Sequence, residues 1–477
     1  MGQEIAKSRF SSKDFDDFHQ NLTTETNFLK QTIEQKRCSD STFVSGLELE
    51  AWLINQQMQP APINKAYLSA LNHPLATAEL AKFNIELNTT PLLLSGEVFN
   101  QLQSQLQQLW DAAQTQAEKQ NAALMMIGTL PTTQQSDLTL NNMSDLNRYR
   151  ALNEQILHSR GEPIHLDITG VEHLKLEYHD VMLESAATSL QLHTKVPVSI
   201  AHHYYNASII ASAPMVALCA NSPYLFGKYL WHESRIPVFE QAIETGGYDG
   251  AARGPIKRVS FGSCYAKESI FECFQENLEH FPILLPATLG KASDQFEYLR
   301  LHNGTIWRWN RPLVGFDDDG TPHIRIEHRT PAAGPSIVDT VANAAFYHGL
   351  AKNLSDETIS SGPQLEFSQA KDNFYQAARH GLDSHITWFD SEHVRISHLI
   401  INELIPRAIA GLESFNVSNK DINFYMEVIE HRAQSKQTGC FWQHQYRQNT
   451  GADFAQMTQQ YLLNQQQGLP VSRWELT

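Results

Sequence analysis

Two carboxylates alternate with apolar residues in the segment "SGLELEAWLI". Glu48 and Glu50 are separated by one leucine, and further apolar residues flank them on both sides. Successive side chains of a β-strand point to opposite faces, so the pattern predicts that both carboxylates share one face and the apolar residues share the other. Because an unpaired charge is expensive to bury, that shared face must meet water, a cation or a ligand.

Three later segments, "FNIELNTTP", "SLQLHTKV" and "HIRIEHRTP", show the same alternation. An antiparallel sheet with one hydrated face gives this pattern without any chemistry. A merely hydrated face favours Lys, Thr and Ser, whereas Lys195 is the only lysine on these four polar faces. The residues that make the pattern distinctive are Glu48, Glu50, Glu86, Gln191, His193, Arg325, Glu327 and Arg329.

These side chains suit the transfer of a phosphoryl group. Carboxylate and amide oxygens are hard ligands that favour Mg²⁺ or Mn²⁺ over structural zinc. The planar forks of nearby arginines match a phosphate. The chain has no GxxxxGK[ST] sequence and no GxGxxG turn after a strand, so a bound nucleotide must be held by the sheet face and by metal ions.

The elements that carry these residues can be read from periodicity. Residues 10–37 and the stretch that follows Gly96 have helical spacing, and the chain reads as helical almost throughout after Asp339. Strands on both sides of a long helical insertion predict an α+β fold with an antiparallel or mixed sheet. We expect a catalytic domain over residues 1–350 and a helical C-terminal region over 351–477 packed on it.

Composition excludes several classes of function. The 477 residues carry a net charge of −16 without a basic run, which argues against binding to nucleic acid or to an anionic membrane surface. Five cysteines without a CxxC pair favour a reducing, cytoplasmic compartment. The most apolar stretch is interrupted by Pro214 and Pro223 and does not predict a bilayer span, and the charged N-terminal segment lacks an apolar signal core.

Taken together, the motifs resemble the glutamate-cysteine ligase family and, more broadly, the carboxylate-amine ligases of the glutamine synthetase superfamily. The resemblance covers roughly residues 40–350. The matching segments, in order, are "GLELE", "ELAKFNIELNTTP", "IGTLP", "NRYRAL", "SLQLHTKV", "ALCANSPYLFG", "ESRI" and "HIRIEHRTPAAGPSIVDTVAN".

This resemblance implies a curved, largely antiparallel sheet that forms an active-site funnel, flanked by helices. It also implies that ATP and Mg²⁺ (or Mn²⁺) convert a carboxylate into an acyl phosphate that an amine then attacks. The expected product is a γ-glutamyl amide, as in glutathione biosynthesis, with glutamate and a small amine as substrates.

The resemblance further assigns roles to individual residues. The expected metal ligands are Glu48, Glu50, Glu79, Glu86, Glu327 and one or both of Gln191 and His193. The expected catalytic residues are Arg325, Glu327 and Arg329. Glu48, Glu50, Trp307, Arg308 and Arg311 are expected at the nucleotide, and Arg235, Gln191 and His193 at the substrate. Whether Gln191 or His193 faces the metal stays open.

Two alternatives use the same residues differently. A metal-dependent hydrolase would employ the carboxylates without ATP, and nucleotide binding would separate it from a ligase. A non-catalytic ligand-binding descendant would keep the fold alone. The second alternative is disfavoured by Glu48, Glu50, Glu86 and Glu327, because without a cation nothing offsets their mutual repulsion.

Overall fold

The computed structural model describes residues 4–245, 257–290, 292–389 and 392–477. The helices are α1 (Ser12–Glu34), α2 (Asn64–Leu71), α3 (Val98–Glu118), α4 (Asn147–Arg160), α5 (Ala201–Cys219), α6 (Arg235–Ala242), α7 (Phe271–His280), α8 (Glu297–Gly304), α9 (Ile337–Ser361), α10 (Phe367–His380), α11 (Ile396–Leu399), α12 (Ile405–Ser414), α13 (Asn419–Ser435), α14 (Gly439–Thr450) and α15 (Phe454–Gln466). A π-helical turn, Ile400–Leu404, joins α11 to α12.

The strands are β1 (Val44–Asn55), β2 (Ala76–Ala78), β3 (Asn84–Asn88), β4 (Leu92–Leu93), β5 (Ala122–Met125), β6 (Ile164–Thr169), β7 (His173–Tyr178), β8 (Leu190–Val196), β9 (Tyr224–Leu225), β10 (Lys228–Tyr229), β11 (Val259–Ser260), β12 (Trp307–Arg308), β13 (Asn310–Phe316), β14 (Pro322–His328), β15 (His385–Thr387) and β16 (His393–Arg395).

Eight of these strands form the central sheet. Its order is β13-β14-β8-β1-β3-β2, and β4 and β5 also pair with β1. Every pairing within the sheet is antiparallel, and the sheet curls into a half-barrel. The predicted α+β fold with a curved antiparallel sheet is therefore confirmed.

Alternation along the strands separates a polar face from an apolar one. The apolar face is fully buried and comprises Leu47, Leu49, Ala51, Ile85, Leu87, Leu190, Leu192, Ile324 and Ile326. Helices cover it, since His348 of α9 lies 2.7 Å from the Ser45 hydroxyl of β1, and the Ser212 hydroxyl of α5 accepts a 2.9 Å hydrogen bond from the Asn310 amide of β13. The hydrophobic effect thus fixes which way each strand faces.

Two predicted helices and one predicted strand agree closely with the structure. The helix expected over 10–37 is α1, the one expected after Gly96 is α3, and the strand that carries Glu48 begins at Val44. The boundary expected at residue 350 lies inside α9, which runs without a break from Ile337 to Ser361. The division into two domains stays a prediction.

The helices of the C-terminal region pack closely on those before it. Gly349 of α9 and Gly411 of α12 meet where the two helices cross, and a Cβ on either residue would clash with the backbone of the other helix. Two glycines therefore set the distance between these helices. Among the described residues, none of the helices is both long and apolar enough to span a membrane.

Candidate active site

The polar face of the sheet is ordered into cross-strand rows. Strand register places Arg325 beside Lys195 in the first row, and Arg311, Glu327 and His193 in the second. The third row joins Gln191, Glu48 and Asn88, and the fourth joins Ser189, Glu50, Glu86 and Thr77. The face therefore runs from a cationic end to an acidic end along the strand direction.

Glu48, His193 and Glu327 form a compact group in the middle of this face. The His193 Nε2 atom lies 2.9 Å from Glu48 Oε1 and 3.8 Å from Glu327 Oε1. One potential ligand atom from each residue lies within 4.8 Å of the other two, and all three side chains are buried. Glu48 and Glu327 are 279 positions apart in the sequence, so only the antiparallel register of the strands brings the three residues together.

Glu327 is held as a carboxylate by two arginines. The Arg311 guanidinium donates two parallel hydrogen bonds to it, from Nε at 2.8 Å and from Nη2 at 2.9 Å, and Arg329 Nη1 lies 3.8 Å away. Burial opposes the charge, but the two arginines outweigh it and hold the pKa of Glu327 far below its usual range. Burial likewise opposes ionisation of Glu48, yet the adjacent His193 lowers its pKa.

Glu50 is fixed by the strand next to it. Its carboxylate accepts hydrogen bonds from the Ser189 backbone at 2.6 Å, the Ser189 hydroxyl at 2.9 Å and the Gln191 amide at 3.0 Å. Burial nevertheless raises its pKa, against the opposing charge of Arg329. This geometry separates the two residues that the sequence left open: His193 belongs with Glu48 and Glu327, and Gln191 orients Glu50.

Three further carboxyl groups surround the acidic end. Burial and the neighbouring Glu48 raise the pKa of Glu86 to about 7. Burial and the charge of Glu50 raise the pKa of Glu184 to about 8. Burial and the charges of Glu86, Glu50 and Glu184 raise the pKa of Glu79 well above its usual value. Each of the three is therefore disfavoured as a charged group by burial and by a neighbouring carboxylate, and a bound cation would relieve this repulsion.

These groups line a cavity of about 360 Å³. Its acidic side chains are Glu50, Glu79, Glu86, Glu184, Glu297 and Glu327, and its basic ones are Arg148, Arg300, Arg311, Arg325 and Arg329; Gln191, Tyr149 and Trp307 also line it. Burial and the nearby Arg325 lower the pKa of Arg300, so two guanidinium groups stand close together at the cationic end. The cavity is of a size that suits a small-molecule site.

The donor set fits hard divalent cations. Glu48 Oε2 and Glu86 Oε2 are buried and have no hydrogen-bond partner, although a buried carboxylate oxygen without a partner is costly. Carboxylate oxygens with a single imidazole suit Mg²⁺ or Mn²⁺, which would satisfy both orphaned atoms and relieve the repulsion among the carboxylates.

The structure brings most of the expected site residues to the cavity. Glu50, Glu79, Glu86, Gln191, Trp307, Arg311, Arg325, Glu327 and Arg329 line it. Glu48 and His193 lie next to these residues on the polar face but are not among those that line the cavity.

Arg235 and Arg308 occupy positions other than those expected. Arg235 is buried at 2% exposure, where its guanidinium bonds to Glu233 at 3.1 Å and to the Thr330 carbonyl, so it does not reach the cavity to contact a substrate carboxylate. Arg308 points away from the cavity and pairs with Glu276 at 2.7 Å, because alternation along the strand opposes it to Trp307. Arg235 instead holds the backbone that follows β14, at Arg329 and Thr330.

Sequence reasoning assigned no role to several residues of the cavity wall. Tyr149 and Arg148 lie in the segment "NRYRAL", whose match to the family gave a signal but no role. Glu184, Glu297 and Arg300 come from a short helical turn and from α8, outside the alternating strands, and nothing in their local spacing distinguishes them from surface residues.

Comparison with known proteins supports the same fold. The crystal structure of glutamate–cysteine ligase from Francisella tularensis in complex with AMP superposes with a TM-score of 0.58 at 12% identity, over 92% of this chain and 91% of that one. The bifunctional glutathione synthetase from Pasteurella multocida gives a TM-score of 0.52 at 11% identity, over 91% of this chain and 54% of that one. No curated protein sequence matches the chain.

The family model for glutamate-cysteine ligase family 2 matches residues 44–459. The match begins at the first residue of β1 and extends into α15, so it includes both the sheet and the C-terminal helices. It covers well over half of the chain. The resemblance noted from the motifs is confirmed, and the chain belongs to glutamate-cysteine ligase family 2.

Proposed function

We propose that this glutamate-cysteine ligase-like enzyme uses ATP to join the γ-carboxyl group of glutamate to an amine through an acyl phosphate. The observation that carries the proposal is the cavity itself. It sets orphaned carboxylate oxygens of the polar face beside a group of arginines, within a member of a ligase family. Transfer of a phosphoryl group needs this combination of cation sites and fixed positive charge.

The acidic residues are the proposed magnesium ligands. Glu48, His193 and Glu327 would hold one ion, with Glu50 and Glu86 available to a second. Bound Mg²⁺ supplies neutralisation of the charge on the ATP phosphates and on the transferred group. The Gln191 and Ser189 hydrogen bonds fix the orientation of the Glu50 carboxylate before any ligand arrives, which reduces the cost of reorganisation during the reaction.

The arginines are the proposed phosphate contacts. Arg325 Nε and Arg329 Nη1 are buried without a hydrogen-bond partner, so both guanidinium groups retain donors for a phosphate. Arg311 is fully engaged with Glu327 and with backbone carbonyls, and it therefore positions Glu327. Trp307 lines the cavity beside these arginines, where an aromatic face can pack on a nucleotide base.

The two proposed chemical steps balance without a protein nucleophile. A γ-carboxylate oxygen of glutamate forms a bond to the γ-phosphorus of ATP, and ADP leaves. The amine nitrogen then bonds to the acyl carbon, inorganic phosphate leaves and the amine gives up a proton. The amine must reach this intermediate within the cavity, because an acyl phosphate is lost to hydrolysis wherever water has free access.

The proposed substrate and setting follow the family. The Francisella structure carries AMP, which supports a nucleotide as ligand, and cysteine is the first amine to test. The cysteines of the described residues are all free thiols, in keeping with a reducing cytoplasm and a place in glutathione biosynthesis.

The test is phosphate release from ATP and Mg²⁺ with glutamate and a panel of amines, with the product identified by mass. We expect release to require glutamate and an amine together, and the product to be the γ-glutamyl amide. Release that requires neither would contradict the proposal, and turnover of substrate without ATP would favour a metal-dependent hydrolase.

A further inference from the structure

Glu184 is a carboxylate that the proposed chemistry has not yet used. It lies in the helical turn Val181–Ala186, whose N-cap is Asp180, and its side chain lines the cavity. Within the described part of the chain, no residue donates a hydrogen bond to this carboxylate or forms an ion pair with it. Burial and the charge of Glu50 raise its pKa to about 8, against the effect of Arg329, so a bound cation would stabilise its charged form near neutral pH.

A second observation points to a cation at the same end of the cavity. Glu86 lines this end, is only 1% exposed, and leaves its Oε2 atom buried without a hydrogen-bond partner. The Oε1 atom, by contrast, accepts from Asn88 and Thr77. The acidic end is therefore short of positive charge even after the protein's own contacts are counted.

This end adjoins the proposed metal group, since Glu48 is two residues from Glu50 in β1 and its charge acts on Glu86. His193 is more distant, because it is four residues from Ser189 in the chain, about 13 Å at the rise of a β-strand, and Glu50 and Glu86 belong to the row of Ser189. Glu184 reaches that end from outside the sheet. Metal ions held by the carboxylates of the sheet would therefore leave Glu184 as a further acidic group of the cavity.

Apolar and aromatic side chains line the same cavity as Glu184. Leu80, Leu152 and Tyr149 line the cavity together with it and with Glu79. Apolar surface beside a carboxylate matches a protonated amine on a short carbon chain, whereas a hydrated metal ion prefers oxygen ligands on several sides.

Resting on the proposed function, we propose that Glu184 binds the ammonium group of the acceptor amine and thereby selects acceptors that carry a positive charge. Aliphatic and α-amino groups are mostly protonated near neutral pH, so a carboxylate recognises them through a charge-assisted hydrogen bond. Glu184 would be a specificity residue for the second substrate, distinct from the groups that handle ATP.

The experiment compares Glu184→Gln with the wild-type enzyme on charged and uncharged acceptors. L-cysteine and ethylamine are the charged probes, and hydroxylamine, which is uncharged near neutral pH, traps the acyl group as a hydroxamate. We expect KM for both charged amines to rise at least about tenfold, the loss expected for one hydrogen bond to a charged group. The ratio of amide to hydroxamate formed should fall by the same factor, with KM for ATP and glutamate unchanged.

Asp180→Asn is the matched control. It removes one negative charge from the same turn, and Asn keeps a side-chain oxygen that can accept from the Met182 backbone as Asp180 does at 3.0 Å. Asp180 does not line the cavity, so we expect wild-type KM values for all acceptors.

The outcomes separate the inference from the function on which it rests. A wild-type enzyme that forms no hydroxamate would overturn the proposed ligase reaction. Hydroxamate formation with an unchanged ratio in Glu184→Gln would overturn only the role of Glu184. An equal loss of both products would also overturn that role, because it indicates a structural or metal-binding function for Glu184. A wild-type enzyme that accepts neither L-cysteine nor ethylamine would overturn it as well.

Discussion

The two faces of the central sheet differ in whether their buried polar side chains have hydrogen-bond partners. On the face covered by helices, the few polar side chains are paired: His348 contacts Ser45 and Thr194, and His328 contacts Asn310 and Thr330 at 2.7 Å. On the polar face, Glu48, Glu86, Arg325 and Arg329 each keep a buried atom without a partner.

The difference shows where the fold gives up stability for function. Both faces belong to the same strands, and a residue's face is decided only by whether its position is odd or even. The paired groups on the helix-covered face show that these strands can place partners beside buried polar side chains. In the proposed function, the unpaired atoms on the other side are contacts for metal ions and substrates.

The largest expected effect is the loss of activity in Glu48→Gln. Its carboxylate contributes one buried oxygen without a partner, so the amide should fold normally but bind a cation poorly. We expect kcat/KM to fall at least about a hundredfold while Tm in the absence of metal changes little. Addition of Mg²⁺ should raise Tm of the wild type but not of the variant. Wild-type activity in Glu48→Gln would remove the metal site from the proposed mechanism.

Glu327→Gln should cost stability as well as activity. Glu327 is fully buried between Arg311 and Arg329, and neutralising it leaves two guanidinium groups without their counter-charge. We expect a loss of about 3 kcal/mol in the free energy of unfolding, measured by urea denaturation. Glu97→Gln is the control, because its pair with Lys420 is exposed on both sides and should contribute under about 1 kcal/mol. Equal losses in the two variants would contradict the distinction.

Gly411→Ala tests the helical side of the comparison. An added methyl group would meet the backbone of α9 at Gly349, so the helices must move apart. We expect a loss of about 1–3 kcal/mol in the free energy of unfolding, with KM values unchanged in the folded enzyme. Gly290→Ala, where nothing lies within 4 Å of the added atom, should be neutral. A change in KM would show that the helix crossing reaches the site.

The smallest effect concerns the dependence of stability on pH. Burial lowers the pKa of His348 to about 3, so the folded protein keeps this histidine neutral, whereas the unfolded chain protonates it near its usual value of 6.5. The free energy of unfolding is therefore not reduced by this histidine above about pH 6.5, and it falls as the pH is lowered from 6.5 toward 3. Over that range, the free energy of unfolding should depend less on pH in His348→Gln than in His179→Gln, which serves as a control at an exposed site. Parallel curves would contradict this.

Much of the site followed from the sequence because strand alternation is local. The spacing of Glu48 and Glu50 already indicated that both leave the core, and the structure places them opposite Gln191 and Glu86. Arg308 and Arg235 could not be placed in this way. Arg308 faces the other side of a two-residue strand, and Arg235 begins a buried helix, so their surroundings depend on distant segments.

The sequence by itself determined the family, the sheet faces and the kinds of atom that meet there, because residue type and a period of two are properties of short stretches. Only the tertiary structure decided which of those atoms stand together. The choice of His193 over Gln191 as the partner of Glu48 depends on register between strands more than a hundred residues apart. The arrival of Glu184 at the acidic end depends on how a turn outside the sheet packs, and no local pattern encodes that packing.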